Sequence, residues 1–216
     1  METNANPNKE HFADFKESGE AAKKFLAEGF GPLIKKVFCQ PLELNQEFKQ
    51  SDAQVKSIVL ILLAGILYTL LPYLLVGSAR RFVGFRFFLQ IGIAVMIALI
   101  FIGLLTWCIK KIHHKQTEFQ NELLTGALCA LPLLVLLVLI CLLNLFFSGY
   151  NFMGGFGSFF SGSWSTIFSV YAFFLMITIV FQSLRSVYIK ANTAWYLSPA
   201  IVMLGFYMAV KIVQWV

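Results

Sequence analysis

The residues of this chain that could do chemistry are few and poorly spaced for it. His113 and His114 are adjacent, so on a helix they would project roughly 100° apart, and the remaining histidine is His11. No thiolate or carboxylate stands at ligand spacing beside them, whereas a metal site needs several donors converging on one point. The four cysteines, Cys39, Cys108, Cys129 and Cys141, are dispersed and show neither a disulfide framework nor a zinc ribbon, so they read as packing residues. Serines gather between 148 and 165, but no histidine follows His114 to activate one, and serines in such a stretch serve turns. There is no phosphate-cradling GxxxxGKS or GxGxxG segment. These residues point to a protein that is not an enzyme and uses no metal or cofactor.

The elements that carry them explain the scarcity. From Leu123 to Leu184 the chain runs 62 residues without Asp, Glu, Lys, Arg or His. As one helix that stretch would be roughly 90 Å long, about three times the hydrocarbon thickness of a bilayer, so it must turn back on itself. The turn falls in the glycine- and serine-rich segment Ser148 to Ser163. Three further charge-free runs, Ser57 to Ala79, Phe87 to Ile109 and Ala191 to Val210, each have the length of one crossing. Backbone amides find no water in a bilayer, which forces such segments into helices. The expected fold is all-α, a polytopic bundle of five transmembrane helices at about 57–78, 87–109, 123–147, 165–184 and 195–215, preceded by an N-terminal arm over 1–56. The first apolar run begins after position 56 and is followed by four others, so it reads as a spanning helix rather than a cleavable signal.

Ionisable residues inside a membrane usually mark coupling sites. Within these five intervals the one such residue is Lys211, near the end of the last. That weighs against a pump or coupled carrier. Small residues four apart, Ala94/Ala98, Gly126/Ala130 and Gly205/Ala209, suit close helix contacts. Pro72, Pro132 and Pro199 each remove a main-chain hydrogen bond and should bend their helices. A passive channel or permease component for small neutral solutes, built on the third and fifth spans, is the alternative reading of the same features.

The arm has nine acidic residues and eight lysines, a balance unlike that of a nucleic-acid-binding tail. Phe12, Phe15, Phe25, Leu26 and Phe30 recur at helical spacing among charged residues, and Gly29, Gly31 and Pro32 should interrupt that helix. With Lys35 and Lys36 beyond, the arm has the pattern of a segment that meets a membrane surface or a cytoplasmic protein partner. An N-terminus inside and a C-terminus outside puts nine basic residues near span ends on the inner face and four on the outer. Trp107, Trp164, Trp195 and Trp215 all fall at span ends, as interfacial anchors do. Arg80, Arg81 and Arg86 would then lie outside, where they could hold anionic lipid headgroups. The lipid bilayer is the first partner implied, and self-association into a homo-oligomer is compatible with the small-residue faces.

Three stretches resemble the Yip family, five-span membrane proteins whose eukaryotic members interact with Ypt/Rab GTPases, and especially its bacterial branch. They are Lys36-Val37-Phe38-Cys39-Gln40-Pro41 with Leu44 and Phe48, Ala130-Leu131-Pro132-Leu133-Leu134 in the third span, and Gln182-Ser183-Leu184-Arg185-Ser186-Val187-Tyr188 with Lys190-Ala191. Of the Asp-Leu-Tyr-Gly-Pro signature of eukaryotic members this chain keeps Gly31-Pro32, with Phe30 in the tyrosine place. The resemblance implies the five-span fold, a non-catalytic role in the bacterial inner membrane, and a partner left open.

Overall fold

The computed structural model describes residues 18–44, 53–75, 84–113, 119–147, 163–187 and 189–215. Among them are helices and turns and no strand. A helix over 18–24 passes through a π-helical segment, Phe25–Gly29, into α1 (Phe30–Cys39). The longer helices are α2 (Ala53–Leu75), α3 (Phe85–His113), α4 (Phe119–Leu128), α5 (Ala130–Phe147), α6 (Ser163–Arg185) and α7 (Ala191–Gln214). With α4 and α5 counted as one interrupted helix, five are long and apolar enough to cross a membrane, which fits a membrane-integral protein. The segment 148–162, Phe12, Phe15, Arg80, Arg81 and His114 lie outside the described residues.

Helix α3 is the hub, packed against α2, α4 and α7. Helix α2 also touches α4 and α5, while α6 joins α7 to both halves of the interrupted helix. Backbone approach sets these contacts. A Cβ on Gly126 of α4 would run into the Leu99 carbonyl oxygen and come within 3.0 Å of the Gly103 nitrogen, both on α3. Gly205 on α7 lies beside the Ala98 carbonyl and Ile102, as its small-residue spacing led one to expect. Van der Waals packing of this kind is what holds helices together where lipid offers no hydrophobic driving force between them.

The prolines behave differently from one another. Helices α2 and α7 continue through Pro72 and Pro199. In the third span the α-helix is interrupted at Cys129, three residues before Pro132. The Pro132 ring has no N–H to offer the Leu128 carbonyl and crowds it, so the turn there cannot close normally. Tyr68 of α2 donates a hydrogen bond of 2.8 Å to the Leu133 carbonyl just beyond the break. That phenol ties the C-terminal half of the third span to α2.

Two sequence expectations are corrected. Gly29, Gly31 and Pro32 do not interrupt the arm. The Phe30 N–H donates to the Phe25 carbonyl five residues back, and both Gly29 and Phe30 keep helical dihedrals. Pro32 lies just past the π-helical turn, where the hydrogen-bond pattern changes from five-residue to four-residue spacing. The second correction is at the helix ends. Helix α2 starts at Ala53, its Ser57 hydroxyl bonded to the Ala53 carbonyl, and α3 runs on to His113. Lys110 therefore belongs to a spanning helix and not to a solvated connection.

Candidate functional site

Lys110 is 1% exposed and Glu122 6%, although both are charged. They meet as an ion pair, Lys110 Nζ to Glu122 Oε2, at 2.6 Å. Lys110 lies in the last turn of α3 and Glu122 in the first turn of α4, so each charge also sits at the helix end whose dipole favours it. Gly103 and Gly126 allow the backbones of the two helices to approach. Glu122 and Gly126 are four apart on α4; Gly103, Thr106 and Lys110 recur at three- and four-residue spacing on α3.

Helix α6 completes the cluster. Ser183 Oγ donates to Glu122 Oε2 at 3.4 Å and shares a hydrogen bond of 2.6 Å with Thr125 Oγ1. Lys110 Nζ donates to Ser186 Oγ at 3.2 Å, and the Ser186 hydroxyl in turn donates to the Ser183 carbonyl at 2.7 Å. Ser183 and Thr125 are fully buried. A buried ion pair is tolerable only when further hydrogen bonds satisfy its remaining donors and acceptors, and here two hydroxyls from a third element do so. Chemically the cluster fastens: ammonium and carboxylate neutralise each other, and the three helix ends are held at one register.

Composition alone does not show this site, because Lys110 stands one residue beyond the charge-free run Phe87 to Ile109 and Glu122 one residue before the run that begins at Leu123. The legible signal was register. Each charged residue shares a helix face with a glycine that lets the other helix in.

The arm residues are divided between two environments. Phe25 is buried and makes an edge-to-face contact with the partly buried Phe30, ring centroids 6.5 Å apart. Leu33 and Val37 of α1 are buried in the core, and Phe38 packs on Tyr171 of α6. Leu26, Gly31, Pro32 and Lys35 are exposed, and Lys36 is partly buried. Arg86 is exposed in the first turn of α3, at the opposite end of that helix from Lys110. The exposed His113 ends α3, and no cluster of metal-ligand type occurs among the described residues. Gly126 and Gly205, on which a solute path would depend, are occupied by contacts with α3. Compared with family models, with curated proteins and with solved structures, the chain matches none of them.

Proposed function

We propose that this chain is a non-enzymatic integral membrane protein of the Yip-like type, resident in the bacterial inner membrane, which recruits a cytoplasmic partner or organises membrane through its N-terminal arm. The observation that carries the reading is the two-sided mounting of α1. Leu33 and Val37 anchor it in the bundle core, while Gly31, Pro32 and Lys35 remain exposed. Burial of large apolar side chains contributes roughly 1.5–3 kcal/mol each, enough to hold a short helix in place without help from its exposed face. That leaves the outward face available for recognition, and it includes the Gly31-Pro32 pair on which the family likeness partly rests. An N-terminus inside is supported by the excess of basic residues near the span ends that would then face the cytoplasm.

A photo-crosslinking residue at Lys35 of the full-length chain, activated in native membranes, tests this. The expected result is a discrete protein adduct that disappears when Pro32→Asp is added. Adducts to lipid alone, together with liposomes whose shape is the same with and without the protein, would overturn both forms of the reading.

A further inference from the structure

A groove of about 320 Å³ runs along the seam between α2 and α3. Glycine makes it. A Cβ on Gly92 would run into the Thr69 hydroxyl and the Gly65 carbonyl oxygen, and a Cβ on Gly65 would run into the Met96 thioether. With no side chain at either position the two backbones meet, and the surface above them is hollow. The walls are Leu62, Ile66 and Leu70 on α2 and Leu89 and Ile93 on α3, all exposed.

The chemistry of the lining limits what can sit there. Among the described residues that line the groove one carries a hydroxyl, Thr69, and it donates to the Gly65 carbonyl of its own helix at 2.9 Å. A polar occupant would lose its hydration and gain no partner. Along α2 the groove runs from Leu62, near the middle of Ala53–Leu75, to Leu70, roughly 12 Å at helical rise. Both helices are long and apolar enough to cross a membrane, so in a membrane-integral protein this surface meets hydrocarbon. A helix of a second copy fits it poorly. Close helix contact in lipid depends on small residues at the meeting surfaces, and Gly65 and Gly92 are already buried against each other. Past Leu70, Tyr73 packs edge-to-face on Phe85 and Phe88, ring centroids 5.2 and 5.6 Å away, and bounds the groove on that side.

We infer that the groove holds one acyl chain of a membrane lipid from the leaflet at the C-terminal end of α2. Its methyl end lies by Leu62 and Met96 and its carboxyl-proximal carbons by Leu70 and Leu89. A chain seated between two walls and a floor makes van der Waals contacts that a convex helix surface does not offer, and those small terms add. The headgroup takes no part, so the site selects a hydrocarbon chain and not a lipid class. The inference is independent of what the arm recruits and holds or fails separately from that reading.

Full-length protein in phosphatidylcholine vesicles would be irradiated with a trace of phosphatidylcholine carrying a diazirine at one of two places on an acyl chain, and the adducts mapped by peptide mass. Labelling in the groove should exceed that at the exposed Val170 and Phe174 of α6 by about fivefold, equivalent to about 1 kcal/mol of preference over bulk lipid. A diazirine near the methyl end should mark Leu62 and Met96, and one near the carboxyl end Leu70 and Leu89. The Ile66→Trp, Ile93→Trp variant fills the groove from its walls and leaves the glycine floor intact. It should lose the excess, while Val170→Trp, Phe174→Trp keeps it. Even labelling of the groove and α6, an undiminished excess in the filled variant, or the same marks from both probes would overturn the inference. Ready disulfide-linked dimerisation of Ile66→Cys would overturn the acyl-chain assignment in favour of a second copy.

Discussion

At the scale of single residues, Lys110 and Glu122 decide more than their number suggests. Removing one member leaves the other charge buried and unpaired, which costs about 3–5 kcal/mol, whereas replacing both by apolar residues of similar volume is often neutral. Lys110→Met and Glu122→Leu should therefore each lower stability in detergent by about that amount, and the double variant should recover most of the loss. Equilibrium unfolding of the four proteins checks this. Strict additivity of the two single losses would mean that the pair is not the unit of stability. The same residues show why the site was hard to see in the sequence. Composition distinguishes charged from apolar positions, but not a charge in water from a charge that a neighbouring helix will cover. Phe25 was different: its helical pattern read as a contact for a membrane surface or a partner, and in the structure the side chain is buried against the chain itself.

At the scale of elements, the five apolar helices were legible because a run without charge long enough to cross a bilayer has few other structures open to it. Their ends were less so. The charge-free runs stop at Lys56 and Lys110, yet the helices run through both, because a charged side chain with a partner does not end a helix. The arm was expected to break at Gly29 to Pro32, and the π-helical turn instead carries the helix past Pro32, a local solution that propensity does not reveal. The helix contacts make a sharp prediction. Gly126→Leu would drive a side chain into the Leu99 carbonyl and the Gly103 backbone, which cannot yield as a side chain would, and should cost at least the 1–3 kcal/mol typical of overpacking. Gly19→Ala meets nothing within 4 Å and should be near neutral. Thermal unfolding in detergent should separate the two variants clearly; similar midpoints would mean that α3 and α4 do not approach as described.

At the scale of the whole molecule, the account rests on five helices long and apolar enough to cross a membrane, three of which are fastened at one end by Lys110, Glu122 and Ser183. Five crossings would put the chain's termini on opposite sides of the membrane, and the proposed orientation, with the arm inside, would let a cytoplasmic partner reach the exposed Lys35. The most direct measurement is a pair of topology reporters, one fused before Met1 and one after Val216, in cells expressing the full-length chain. The account predicts cytoplasmic behaviour for the first and extracytoplasmic behaviour for the second. Both reporters on the same side would contradict it, because one of the five apolar helices would then fail to cross.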